Sequence, residues 1–424
     1  MRRDVMTDIV VIGAGIIGIS AALELQKRGR RVVVVDRDGG GAGVGAGAGV
    51  GASRGNAGAF AFTDIVPLAT PGIMRKAPKW LLDPVGPLSV RPSYALKIAP
   101  WMLRFWRASW RDRFAASLSA QAALMERSRA ALERQIADVD GDALIARDGQ
   151  LQLFENAAEF RASLPLWDLR RRHGIAFDLL ESPEAIAEIQ PGLNRRFTHA
   201  GFTPTWMNTV DPARWTDHLA QNFAARKGRV VIADVAELTP EGSGMRLTTT
   251  AGEITADQVI VAAGAWSHHL ARTLGDPIPL ETERGYNTTL PDCAFDLRTH
   301  LTFGGHGFVV SRINSGLRIG GAVELGGLKL APNYKRAETL LAKAGRFLPG
   351  LNTTGGTQWM GFRPSLPDSL PVIGRSPRAA RVLYAFGHGH LGLTQAAGTA
   401  ELIADLATDT IPKITMAPFA PTRF

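Results

Sequence analysis

The chain has 424 residues, 45% hydrophobic and 21% charged, close to globular averages, so neither disorder nor a fibrous repeat is indicated. That length exceeds what one hydrophobic core organises and predicts two domains. Its single cysteine, Cys293, excludes an internal disulfide or a cysteine-built metal cage, and its +9 charge would attract nucleic acid, anionic lipid or an acidic metabolite without choosing among them.

From the N-terminus, residues 8–12 (DIVVI) have the unbroken β-branched character of a buried parallel strand. Gly13, Gly15 and Gly18 interrupt the apolar run that follows, so it reads as a turn and a helix over 19–28 rather than a signal peptide. A second buried strand, 30–36, ends on Asp36 and completes a βαβ unit. The glycine, alanine and valine stretch 39–51 is expected to be a mobile loop. The small residues Ser53, Asn56, Ala57 and Gly58 then suit a close approach of backbone to a ligand.

A long helical region is expected over 93–138, with Met102, Leu103, Trp106 and Trp110 on one face. Interdomain packing is the plain reading of that face, and an interfacial helix against lipid headgroups the sharper one. No segment reaches the roughly 18 apolar residues that span a bilayer. Residues 229–238 and 245–250 alternate like antiparallel strands, and 258–263 form another buried strand. Strands near 307–313 and 317–321 flank a turn at 314–316, so a mixed sheet is implied for the second domain. A helix over 394–406 follows the glycine-rich segment GHGHLG.

The motif Gly13, Ala14, Gly15, Ile16, Ile17, Gly18 lies between strand and helix, with Asp36 at the end of the next strand. Its glycines permit a tight turn and close approach of a pyrophosphate, the helix N-terminus favours negative charge, and Asp36 would accept ribose hydroxyls. This predicts a dinucleotide and leaves FAD and NAD open. VIVAAGAWS, 259–267, has the form of a second backbone approach to that nucleotide. The glycines before the 394–406 helix would aim N–H donors at charge accumulating on a bound ring. His388 and His390 form an H-x-H pair with no cysteine or acidic cluster nearby in sequence, so no metal is expected.

Together the N-terminal glycine motif, ASRGNAG (52–58), VAAGAWS, the RGY at 284–286, GFRPSLPDSLPVIG (361–374) and GHGHLGLT resemble the D-amino-acid oxidase superfamily, nearest its D-amino-acid dehydrogenase group. The resemblance covers nearly the whole chain in the family's order and implies FAD, held noncovalently. It implies that Arg363 binds the substrate carboxylate, that Tyr286 lies at the substrate face, and that His388 stands beside the flavin as the third catalytic candidate. The expected cofactor contacts are Gly13, Gly15, Ile16, Gly18, Asp36, Arg37, Ser53, Asn56, Ala57, Gly58, Val235, Ala263, Gly264, Trp266, Gly361, Gly389, His390, Leu391, Gly392, Leu393 and Thr394. Two departures stand out: an aspartate at 36, where glutamate is frequent, and the glycine-alanine insertion before Ser53.

The fold class is therefore α/β: a Rossmann-like FAD-binding domain (1–92, 205–280 and 357–424) with a second α+β substrate domain (93–204 and 281–356) built on a mixed, largely antiparallel sheet. The expected activity is oxidative deamination of D-amino acids, proline-like ones included, to 2-oxo acids or cyclic imines. The resemblance implies that electrons would pass to a quinone or other carrier, since nothing in the residues separates dehydrogenase from oxidase. The alternatives are an oxygen-using oxidase of glycine or sarcosine type, a tRNA-modifying FAD enzyme, and a nucleotide-bound protein without turnover. The expected partners are an amino acid and an electron acceptor, without nucleic acid. The expected location is the cytoplasm, with peripheral contact at the inner membrane face as the variant.

Overall fold

The computed structural model describes residues 7–39, 51–75, 86, 88–291 and 295–424. The expected mobile loop lies, apart from its two ends, outside the described residues, as does Cys293. Strand β1 (Thr7–Ile12), helix α1 (Ile16–Lys27) and strand β2 (Val32–Asp36) form the βαβ unit. Two helices follow, α2 (Ala95–Ala108) and α3 (Arg111–Asp138). Next come β3 (Arg229–Ile232), β4 (Val235–Glu241), β5 (Gly244–Thr249) and β6 (Gly252–Val261). A second group comprises β7 (Glu281–Leu290), β8 (Phe308–Ile313), β9 (Gly316–Leu325) and β10 (Thr357–Ser365). The chain closes with β11 (Val372–Arg375), β12 (Val382–Phe386) and α4 (Gly392–Ala407).

The first sheet runs β3-β2-β1-β6-β5-β4, with β12 beside β6 and β11 beside β12. Its centre, β3-β2-β1-β6-β12, is parallel. Val10, Val11, Val34, Val259 and Ile260 are wholly buried there, which explains the uninterrupted apolar runs. Helices α1 and α4 pack together on one face. The second sheet runs β10-β7-β9-β8 and continues through four shorter strands, antiparallel except at two pairings. The expected α/β class with a mixed second sheet is what the chain adopts.

Four local expectations need correction. Residues 229–238 are not one antiparallel strand: β3 pairs parallel with β2, Arg229 opposite Val33, and only β4 pairs antiparallel with β5. The helical region is broken at Ser109, whose hydroxyl donates to the Trp106 carbonyl at 2.7 Å, and Trp110 is extended. The packing face of α2 is Ile98 and Trp101 against Leu325, while Leu103, Trp106 and Trp110 are exposed by 64%, 48% and 46%. The segment assignments also shift, because Thr357–Ser365 and Leu88–Val90 both belong to the second sheet. In the other direction, α3 lies on α4 of the nucleotide half. Gly398 lets Ser128 approach closely there, and Arg127 bridges Glu401 and Asp405 at 3.1 Å.

Candidate active site

The turn between β1 and α1 can be made only with glycine at two positions. Gly13 has φ +106°, and a Cβ there would meet the Ala262 carbonyl oxygen at 2.5 Å. A Cβ on Gly18 would fall 1.8 Å from the Gly13 carbonyl oxygen, so helix and strand touch through bare backbone. Asp36 braces this turn by accepting from the Ala14 N–H at 2.8 Å, and Ser53 Oγ accepts from the Ile16 N–H at 3.0 Å. The Arg37 guanidinium lies 4.7 Å from the centre of the Trp266 ring and pairs with Asp38.

From this turn a cavity of about 1420 Å³ extends to the second sheet, larger than the roughly 300–1,000 Å³ of a site for one small molecule. Every expected cofactor contact lines it except Gly18, Gly58 and Thr394. Those three act one layer back. Gly18 makes the helix–strand contact, and Gly58 (φ +80°) packs on the Thr209 carbonyl. Thr394 Oγ1 accepts from the Ala61 N–H and donates to the Ala59 carbonyl.

At the far end the cavity is floored by β7 and β10, whose register runs without slip from Glu281 opposite Ser365 to Thr289 opposite Thr357. Alternation puts Glu283 and Arg363, Gly285 and Gly361, and Asn287 and Trp359 on the cavity face. A Cβ on Gly285 would stand 2.2 Å from Arg363 Nη2, so the guanidinium lies across bare backbone. The indole of Trp359 is likewise seated against Gly361 and Gly55. Arg363 Nη1 donates to the Ala322 carbonyl at 3.0 Å, its one hydrogen bond among the described residues. Ala322 is at φ +57° where β9 bulges, a strained conformation for a non-glycine residue that aims this carbonyl at Arg363. Burial lowers the Arg363 pKa and Glu283 opposes that shift; an arginine in this setting stays charged.

Tyr286 borders the cavity, but its hydroxyl is turned away from it. It belongs to the opposite set of alternating positions, is 1% exposed, donates to Glu324 at 3.0 Å and accepts from the Asn333 N–H at 3.0 Å. Arg284 beside it is wholly buried, pairs with Glu324 at 3.2 Å, and donates to the carbonyls of Gly326, Gly327, Leu330 and Ala331. The RGY segment thus divides: Gly285 seats the cavity arginine, while Arg284 and Tyr286 hold the loop before the helix Lys335–Phe347.

The histidine pair is also reassigned. His388 is buried with Nε2 3.0 Å from Thr399 Oγ1, and burial lowers its pKa to about 3, so it is a neutral brace. His390 is the imidazole open to the cavity; burial lowers its pKa, Asp64 opposing and Arg363 adding to the effect. Sequence reasoning missed Glu283, Trp359, Asn287 and Arg318. Asn287 Nδ2 donates to the Gly55 carbonyl at 2.8 Å, and Arg318 Nη1 to the carbonyls of Asn56 at 2.5 Å and Arg54 at 3.5 Å. The period-two pattern Glu283, Gly285, Asn287 was visible, but the partner strand that gives it meaning lies some seventy residues on.

A glycine turn at a helix N-terminus, an elongated cavity and an open arginine at its far end define a class: an oxidoreductase with a dinucleotide at one end and an anionic substrate at the other. Residues 8–406 match the FAD dependent oxidoreductase family (DAO), and the chain belongs to that family. Its cofactor is FAD. It is 35% identical to a D-amino-acid oxidase of Bradyrhizobium diazoefficiens over 98% of both chains. It is 31% identical to a D-amino acid dehydrogenase of Rhizobium johnstonii, covering 98% of this chain and 99% of that one. The glycine oxidase structure from Geobacillus kaustophilus has the same fold, with a TM-score of 0.78 over 99% of both chains at 20% identity.

Proposed function

We propose that this enzyme oxidises D-amino acids at the carbon bearing the amino group and releases a 2-oxo acid, or a cyclic imine from proline-like substrates. The observation that carries the reading is Arg363, whose guanidinium spends one donor on Ala322 and leaves the rest of its fork open to the cavity. A bidentate arginine fixes a carboxylate in position and orientation together. FAD, when bound, supplies the two-electron acceptor. The glycine turn with Asp36 would hold its adenosine and pyrophosphate, and the 389–393 segment with the 53–57 loop would face its ring. Trp359 would exclude water around the substrate. No covalent flavin link is expected, because the one cysteine lies outside all these segments, and acid precipitation should free the yellow colour.

Anaerobic titration of the yellow protein with paired D- and L-amino acids tests the reading. D-enantiomers should bleach the flavin spectrum, and bleaching by L-enantiomers alone, or by none, would overturn it. The natural acceptor is proposed to be a quinone. Its supporting feature is the exposed row Leu96, Leu103, Trp106 and Trp110, flanked by Lys97, Arg104, Arg111 and Arg113, which suits peripheral contact with an anionic membrane. No helix among the described residues is long and apolar enough to cross one. Co-sedimentation with vesicles containing phosphatidylserine, lost on replacing both Trp106 and Trp110 by serine, is the expected result. The oxidase name of the Bradyrhizobium relative favours oxygen as the competing acceptor, and oxygen uptake measured against quinone-analogue reduction decides between them.

A further inference from the structure

Glu283 is 6% exposed, lines the cavity and stands directly across the strand pair from Arg363. A carboxyl group in a substrate cavity, beside the group that fixes the substrate carboxylate, is unfavourable for substrate binding unless it has a task. An amino acid carries its amine one bond from the carbon that bears its carboxylate. The amine of an Arg363-anchored substrate would therefore lie on the part of the cavity that Glu283 lines. We propose that Glu283 accepts the proton of the substrate ammonium, so that the amino acid enters as a zwitterion and reacts as the neutral amine. The inference rests on the amino-acid reading of Arg363.

The charges favour this transfer once the site is filled. With Glu283 ionised, the empty site has one positive and one negative group facing each other across the strands. An arriving zwitterion adds one of each. Its carboxylate occupies Arg363, which removes that cation's support from Glu283 and places a second anion nearby. Both changes raise the carboxyl pKa, and the ammonium, which acts the other way, loses its charge as its proton moves. Burial already pushes Glu283 up from its ordinary value, with Arg363 and then the Ser365 hydroxyl opposing. Moving one proton from ammonium nitrogen to carboxylate oxygen then removes two charges from a cavity that shields them poorly.

The surrounding groups leave this role to Glu283. His390 is pulled down by burial, Asp64 opposing and Arg363 adding to the effect, and His388 is neutral and occupied by Thr399. Glu281, two residues back on the same strand face, is taken by the Tyr94 hydroxyl at 2.8 Å. Next to Glu283 lies a side cavity of about 20 Å³, lined also by Gln121, Ser365 and His388. It is the size of one water molecule. Gln121 Oε1 is buried without a hydrogen-bond partner among the described residues, so a water there would meet an acceptor beside Glu283 and could carry the proton away.

The step balances. An N–H bond breaks with its electrons kept on nitrogen, and an O–H bond forms on Glu283. FAD, when bound, would supply the acceptor for the Cα–H pair as hydride, and the nitrogen lone pair freed by Glu283 would form C=N. Water hydrolyses the iminium product, and Glu283 returns its proton to solvent.

Two measurements test the proposal. In Glu283→Gln, kcat/KM near neutral pH should fall roughly a hundredfold, the scale of one acid–base group, and recover as pH approaches the substrate ammonium pKa. Flavin content should be unchanged. In the unaltered holoenzyme, propionate, a carboxylate without an amine, should take up about one proton from the buffer on binding, and in E283Q it should take up none. A variant within twofold of the parent with the same pH profile, or propionate binding without proton uptake, overturns the proposal. If E283Q loses its flavin, the propionate measurement on the parent enzyme decides alone. Failure of every amino acid to bleach the parent flavin would instead remove the amino-acid reading, a result distinct from either.

Discussion

Adjacent residues of β7 hold two glutamate–arginine pairs that behave in opposite ways. On the outer face Arg284 and Glu324 are both wholly buried, joined at 3.2 Å, and tied into four backbone carbonyls and the Tyr286 hydroxyl. On the inner face Glu283 and Arg363 oppose each other in register, yet Arg363 makes one hydrogen bond and keeps donors for something else. The same residue types one position apart thus serve structure on one side and chemistry on the other. What separates them is how completely each guanidinium is partnered, since the tied Arg284 has no donor left to offer a ligand.

Substitutions can break this contrast. The largest effect is expected for Glu324→Ala, which strands a buried guanidinium and should cost about 3–5 kcal/mol of stability. Urea unfolding followed by flavin fluorescence would read it, and a loss near zero would mean the outer pair is not structural. Next comes Arg363→Leu, which should lower kcat/KM by at least about 3 kcal/mol while FAD stays bound. Near-parental kcat/KM with flavin retained would end the anchor role, and flavin loss would favour a structural one.

Gly285→Ala is subtler. The added methyl displaces the guanidinium without straining the backbone, so KM for the amino acid should rise about tenfold, near 1.4 kcal/mol, with little change in melting temperature. An unchanged KM would show that Arg363 does not need its seat. Smallest is Tyr286→Phe, with about 1 kcal/mol lost in stability and kcat within a factor of two or three. A collapse of kcat would return the tyrosine to the substrate face.

These outcomes bear on what the sequence could reveal. The β1–α1–β2 unit was legible because Gly13 and Gly18 occupy places where a Cβ would strike backbone, a constraint that leaves its mark in residue type. Arg363 was legible through a resemblance spanning the chain. The face of Tyr286 was not, since period-two alternation says only that neighbours diverge; which side is the cavity is fixed by pairing with β10. The same holds for His388 and His390, two residues apart and separated by a turn that buries one against Thr399. The segment boundaries failed because β10 leaves the second sheet and the chain enters β11 of the first within a few residues, with no compositional change to mark the crossing.

The grip of Asn287 and Arg318 on the carbonyls of residues 54–56 has an electrical consequence. In a trans peptide the N–H points opposite to the C=O. By drawing the carbonyl oxygens of Arg54, Gly55 and Asn56 toward the second sheet, these two side chains turn the amides of Gly55 and Ala57 the other way, while the Asn56 N–H is taken by the Ser53 carbonyl at 3.4 Å. The loop is thereby polarised, with acceptors consumed on one side and donors presented on the other. Its sense is imposed from a different part of the fold, so a change at Arg318 would be felt as a change in the local field.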